Sequence, residues 1–317
     1  MRELTYNEAA AEAVAEEMRR DPKIFYMSTD PIGPLLREFG AERVRATPIT
    51  EAAFTGIAIG AAGCGFRPIA DWRQVTFCFV AMDQIVNQAA KIHYMFGGQV
   101  PFPILFRASV GGGGQVAAQH SQSPYSMFMN VAGLKMFLAS TPYDIKGLLK
   151  TAIRDNNPVI SFESGRLMAR KGPVPEGDYT IPLGVADIKR VGTDITLVGT
   201  SSMVQVALAA ADKLAEMGIS AEVVDPRTTF PLDKKTLIDS AKKTGRALVI
   251  DEGYSRYGVT AEIASVIAEG AFYHLDAPVQ RMGAMDVPIP FSPALEDITV
   301  PSPETVTKAA QSLCAMH

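Results

Sequence analysis

Cysteine is scarce in this 317-residue chain. Its three cysteines, Cys64, Cys78 and Cys314, are odd in number and far apart, which excludes a disulfide framework and any zinc-ligand spacing. Histidine is almost as rare: four are present, and no two stand at metal-ligand spacing. There is no excess of basic residues either, with 30 Lys and Arg against 34 Asp and Glu, so nucleic acid is not an expected partner. No apolar run reaches the roughly 18 residues needed to cross a bilayer, and the acid-rich start "MRELTYNEAAAEAVAEEMRRD" is unlike a signal peptide. These absences predict a reduced, cytoplasmic protein with no membrane attachment. A G-x-S-x-G elbow, a Walker lysine and a dinucleotide fingerprint are also missing.

What is present is a large apolar content, 47% of residues, enough for one large core or two medium ones. An amphipathic helix is predicted over residues 5–20. After it, short β-rich runs ("IFYMS", "RVRAT", "RPIADW", "PILFRAS", "LKMFLAS", "PVISFE") alternate with helical ones such as "AMDQIVNQAAKIHYM" and "TPYDIKGLLKTAIRD". Strands that alternate with helices and lack hairpin signals need crossover connections, hence an α/β fold with a mostly parallel, doubly wound sheet. Around "ARKGPVPEGDYTIPLG" Pro and Gly accumulate without apolar periodicity, so residues 171–186 read as a linker between domains at 1–170 and 187–317. The second domain repeats the alternation with "DITLVGTSS", "SAEVVDPRT" and "RALVIDEG" as strands.

Three places could carry chemistry. Glu51 stands at the mouth of the apolar, glycine-bearing run "AAFTGIAIGAAGCG". An acid there complements a helix dipole, with Thr47 or Thr50 as cap, or else serves the reaction; local sequence leaves both open. His120 follows four consecutive glycines and is flanked by Gln119, Ser121 and Gln122, groups able to fix its tautomer for proton transfer, although a surface histidine fits the same context. A phosphate cradle at Gly111–Gly114 is the weaker reading of those glycines. "DNNP", from Asp155 to Pro158, reads as a turn or as a cation site.

Taken in order, "TPITEAAFTGIAIGAAGCGFRPIADW", "AMDQIVNQAAKIHYMFGGQ", "AAQHSQS", "STPYDIKGLLKTAIRDNNPV", "EVVDPRTTFPLD" and "KKTGRALVIDEG" form a set that resembles the beta subunit of the thiamine-diphosphate-dependent decarboxylating component of 2-oxoacid dehydrogenase complexes. Pyruvate, branched-chain and acetoin types belong to that family. The resemblance spans nearly the whole chain. It implies two domains, one binding the cofactor's pyrimidine and one of transketolase C-terminal type. It also implies a cofactor held between two different subunits. Glu51 then matches the glutamate that bonds the aminopyrimidine N1′, favouring the imino tautomer whose exocyclic nitrogen removes the thiazolium C2 proton. Phe77, by itself a core residue, falls where the family sets an aromatic ring against the pyrimidine. His120 matches the family's active-site histidine, which assists acyl transfer to lipoyl. Asp155 and Asn157, with the carbonyls of Ile104, Ala152 and Ile153, match a structural potassium site of some members.

Gly-Asp-Gly, which holds magnesium and diphosphate in such enzymes, is absent from the sequence. The resemblance therefore implies an alpha subunit carrying that motif, in an α2β2 heterotetramer, and a lipoyl-bearing acyltransferase as a further partner. Two departures bear on substrate and acceptor. The loop after the first long strand is several residues shorter than the family's and begins Ser28-Thr29-Asp30 in place of Gly-Glu-Asp, and Asn130 and Ala132 replace a His and a Pro. Besides acyl transfer to lipoyl, the alternatives are a two-subunit transketolase-like carboligase that uses an aldehyde acceptor, and a non-catalytic assembly subunit.

Overall fold

The computed structural model describes residues 1–316; His317 lies outside them. Two compact units emerge, one formed by Met1–Val110 with Met127–Leu183, the other by Gly111–Ser126 with Gly184 onward.

The first unit opens with strand β1 (Arg2–Thr5) and helix α1 (Tyr6–Arg20). Thr5 caps α1 in a capping box: its hydroxyl accepts from the Glu8 amide at 3.2 Å, and the Glu8 carboxylate accepts from the Thr5 amide at 2.8 Å. There follow β2 (Ile24–Ser28), α2 (Gly33–Arg43), β3 (Val44–Ala46), α3 (Glu51–Gly63), β4 (Arg67–Gln74), a short α4 (Ile92–Met95) and β5 (Leu105–Val110). After two short helices, α5 (Ala117–His120) and α6 (Tyr125–Met129), come β6 (Lys135–Phe137), α7 (Pro142–Arg154), β7 (Val159–Ser164) and β8 (Lys171–Val174). The sheet strands of this unit run β6-β7-β5-β4-β2-β3, and every pair among them is parallel. Parallel order requires a crossover between successive strands, as the alternating pattern predicts, and both faces of such a sheet must be covered. Strands β2 and β7 are accordingly buried at every position.

Helices α1 and α7 pack together, and their contact carries charge as well as apolar side chains. Lys146 and Lys150 of α7 are buried, yet their ammonium groups reach the two carboxylate oxygens of Glu16, each at 2.7 Å. Arg154 bonds Glu17, which is fully buried, at 2.6 Å. Buried charge is tolerated only when it is paired, and these pairs fix the register of one helix on the other.

Two segments differ from the sequence reading. Residues 81–95 do not form one α-helix: a 3-10 stretch over Val75–Ala81 gives way to a π-helical turn over Gln84–Ala89 before α4. Part of the expected linker is structured, because β8 pairs antiparallel with β1 and joins Leu4 to Gly172 in register. Both strands are four residues long, and β8 holds Gly172 and Pro173, so the sequence carries no apolar alternation there, although burial alternates along β8.

The second unit contains β9 (Asp187–Arg190), β10 (Ile195–Gly199), α8 (Met203–Glu216), β11 (Ala221–Asp225), a short β12 (Thr228–Phe230), α9 (Lys234–Thr244), β13 (Ala247–Tyr254), α10 (Val259–Ala271), β14 (Gln280–Ala284), α11 (Pro293–Ile298) and α12 (Pro303–Cys314). Its sheet order is β14-β13-β10-β11-β9, parallel except for β9, which runs antiparallel on the edge. Its core gathers Leu197, Ala207, Leu214, Val223 and Leu248 with Val306 and Leu313 of α12. No helix among the described residues is long and apolar enough to cross a membrane.

Candidate active site

The carboxyl ends of parallel strands are where loops can hold a ligand in a doubly wound sheet. Register places Ser28 of β2 beside both Ala46 of β3 and Asp71 of β4, so the segments leaving these strands share one edge. Glu51 opens α3 there, only 6% exposed. Thr50 is the N-cap, but its hydroxyl bonds the Pro48 carbonyl at 3.2 Å and not a helix amide, so no side-chain cap forms, while Glu51 does stand in the first turn, where an acid complements the helix dipole. The Thr47 hydroxyl is buried without a partner. Among the described residues no group hydrogen-bonds the Glu51 carboxylate. Its carboxylate therefore keeps its hydrogen-bonding capacity at this edge.

Phe77 stands in the 3-10 stretch that follows β4, half-buried, and α3 packs against that stretch. Trp72 fixes the arrangement. Its indole Nε1–H donates to the Thr55 hydroxyl in the first turns of α3 at 2.9 Å, and its ring stacks on Phe106 with centroids 4.8 Å apart. Glu51 and Phe77 are thus carried by two elements of the first unit that are bolted together by a buried tryptophan.

His120 ends α5, half-buried, in the segment that packs with the second unit. The four glycines before it are not a phosphate cradle. A Cβ on Gly111, whose φ is +76°, would sit 2.5 Å from the Glu252 carboxylate, and one on Gly112 would sit 2.8 Å from that of Glu296. The Gly113 amide donates to Glu296 Oε1 at 2.8 Å. Two buried acids approach the glycine backbone closely, and the positive φ at Gly111 itself favours glycine. Gln115 and Ala117 also hold φ of +54° and +61°, so the run-up to His120 is strained at two non-glycine positions. On the far side of His120, Tyr125 donates its hydroxyl to Asp251, which also accepts from Thr200 and, at 2.9 Å, from the Gly253 amide. Burial pushes the Asp251 carboxyl up and the Tyr125 phenol well up.

Asp155 and Asn157 lie in the turn between α7 and β7 with the carbonyls of Ile104, Ala152 and Ile153 nearby in the chain or sheet. Asp155 takes the Lys135 ammonium at 2.6 Å and the Asn157 amide at 2.9 Å. Arg67 reaches the carbonyls of Ile153 and Asp155 at 3.1 and 3.0 Å. Groups of three or more His, Cys, Asp or Glu able to hold a metal are absent among the described residues.

Residues 2–170 match the family described as "Transketolase, pyrimidine binding domain", and residues 184–306 match "Transketolase, C-terminal domain". The beta subunit of acetoin:2,6-dichlorophenolindophenol oxidoreductase of Bacillus subtilis is 42% identical over 98% of this chain and 97% of its own. The 2-oxoisovalerate dehydrogenase beta subunit of the same organism is 42% identical over 98% of both chains. A mitochondrial pyruvate dehydrogenase E1 beta subunit of Arabidopsis thaliana is 42% identical, covering 99% of this chain and 90% of its own. The chain belongs to the E1 beta-subunit family. Among solved structures, an inactive beta4 tetramer of a split-gene transketolase shares the fold over 99% of both chains, with a TM-score of 0.83 and 24% identity.

Sequence singles out Glu51, Phe77 and His120 as candidates but not the groups packed around the elements that carry them. Trp72, Glu252, Glu296 and the Tyr125–Asp251 pair act at long range. Gly113 and Glu296 are 183 positions apart, so no local pattern announces their contact.

Proposed function

We propose that this chain is the beta subunit of a heteromeric thiamine-diphosphate enzyme that decarboxylates a 2-oxoacid, or cleaves acetoin, and passes the acyl group to lipoyl. The observation that carries the reading is Glu51: an acid 6% exposed, without a hydrogen-bond partner among the described residues, on a helix packed against the segment that bears Phe77, at the carboxyl-end edge of a pyrimidine-binding domain. Thiamine diphosphate, when bound, supplies a nucleophilic carbon and an electron sink for the bond that breaks. Glu51 would share a proton with the pyrimidine ring nitrogen, which offsets the cost of burying the acid and sets the tautomer. Phe77 would lie against the pyrimidine face, excluding water. His120 would exchange a proton with groups of the bound substrate, carried on a segment whose glycine run is anchored by the Gly113–Glu296 bond.

The donor set for a diphosphate and its magnesium is missing from this sequence, since Gly-Asp-Gly does not occur. An alpha subunit carrying that motif, an α2β2 assembly and a lipoyl-bearing acyltransferase partner form the finer part of the proposal. So do a cytoplasmic location and a potassium ion held by Asp155, Asn157 and the carbonyls of Ile104, Ala152 and Ile153. The test is to co-purify the chain with its alpha subunit and to measure dye reduction with 2-oxoacids and acetoin, with thiamine diphosphate and magnesium present. Activity is expected only from the pair, and Glu51→Gln should remove it; an unimpaired Gln variant would refute the role given to Glu51.

A further inference from the structure

The first unit encloses a cavity of about 490 Å³ at the carboxyl ends of β2, β4, β5 and β7, a volume in the range of small-molecule sites. Glu51 and Phe77 do not line it; its wall begins at Arg73 and Gln74, just ahead of Phe77 on the same segment. Arg107 is part of its wall. Arg107 is 5% exposed and is bound to Glu163 by two parallel bonds, Nε to Oε1 at 2.8 Å and Nη2 to Oε2 at 2.7 Å. The third nitrogen, Nη1, is buried and has no hydrogen-bond partner. That nitrogen keeps donor capacity unused, while the guanidinium as a whole contributes positive charge to the pocket wall.

A second guanidinium stands in the same wall. Arg73 has φ of +66°, a conformation that costs an L-residue about 1–2 kcal/mol and that the Asp71 carboxylate holds in place by accepting the Arg73 amide at 2.8 Å. The opposite oxygen of Asp71 takes the Tyr26 hydroxyl, so this acid is occupied with structure. The side chain of Arg73 is 44% exposed, and its ion-pair partner is Asp30, 3.6 Å away and 80% exposed. A pair that long and that wet contributes about 0–1 kcal/mol, so an entering anion can take Asp30's place at little cost. Asp30 belongs to the shortened loop between β2 and α2, and Pro31, Ile32 and Gly33 of that loop also line the cavity.

We infer that Arg73, with Arg107 behind it, receives a second anionic group on the substrate, a carboxylate or a phosphate distal to the reacting carbonyl, so that this cavity selects substrates charged at both ends. This rests on the reading of the chain as a 2-oxoacid-processing subunit and adds the substrate class to it. Guanidinium groups bind both anions through paired donors, and a site built to bond such a group rejects the analogue that lacks it.

The test uses the complex with the alpha subunit, thiamine diphosphate and magnesium. Its substrates are 2-oxoglutarate, its phosphonate counterpart 2-oxo-4-phosphonobutanoate, and 2-oxohexanoate with an uncharged tail. One of the charged-tail substrates should exceed 2-oxohexanoate in kcat/KM by about 100-fold, and which one it is separates carboxylate from phosphate. Arg73→Leu should bring that ratio near one, and Arg73→Lys should retain part of it. Equal or better use of 2-oxohexanoate by the unaltered complex, or an Arg73→Leu variant that slows all three alike, overturns the inference. If no 2-oxoacid is turned over, titration calorimetry with glutarate and hexanoate decides separately. Glutarate binding that is lost in Arg73→Leu keeps the cavity's role and removes the reaction, whereas no Arg73-dependent binding removes the cavity's role.

Discussion

Two buried acids, one in each unit, stand in opposite circumstances. Asp251 is fully buried, but a tyrosine, a threonine and a backbone amide all donate to it. Glu51 is 6% exposed, and nothing among the described residues donates to it. Both acids are costly to bury, and only one is compensated from within. The difference separates a carboxylate that shapes the protein from one left with bonding capacity, which the proposed function assigns to a ligand. Arg107 shows both conditions in one side chain: two nitrogens are satisfied by Glu163 and the third is not.

The comparison can be broken by experiment. Glu51→Gln in the assembled enzyme should lower kcat by about 10²–10⁴-fold, with Tm by calorimetry nearly unchanged, because no internal bond is lost. The reverse pattern is expected at the Arg107–Glu163 pair, where Arg107→Ala strands a buried carboxylate and should cost about 3–5 kcal/mol in denaturant unfolding. Tyr125→Phe removes one donor to Asp251 and should cost about 1–3 kcal/mol by the same measurement.

Asp251 also makes a pH prediction. Burial raises its folded pKa above the ordinary 3.8, so across that interval the native state binds the extra proton. Its contribution to stability is therefore greatest at acid pH and falls as pH rises from 3.8 through the raised value. Asp251→Asn should flatten that decline in unfolding curves recorded across the interval; an unchanged slope would show that Asp251 is not its source. The smallest effect belongs to the proposed potassium site, where exchange of potassium for sodium should lower Tm by about 2 °C.

Much of the architecture is legible in the sequence, because hydrophobic alternation is imposed by the same faces that become buried. The strands "IFYMS" and "PVISFE" are read correctly since a parallel strand covered on both faces is apolar throughout. Residues 81–95 mislead for the same reason: their apolar spacing is helical, while the backbone passes through a π-helical turn that periodicity does not register. At the site, Glu51 is noticeable as one acid before a long apolar run. Arg73 is not, because its distinction is a backbone angle and a cavity, and neither is written in residue type.

The His120 segment carries a consequence for anyone dividing the gene. Residues 111–126 leave the first half of the chain, join the second, and return, so the polypeptide crosses between the units three times. A fragment ending at Leu183 would retain the histidine but lose Glu252 and Glu296, the acids that lie against its glycines, and Asp251, which holds Tyr125. No single cut yields two self-sufficient pieces, and swapping the carboxyl-terminal half between relatives would exchange the seat of this histidine along with it.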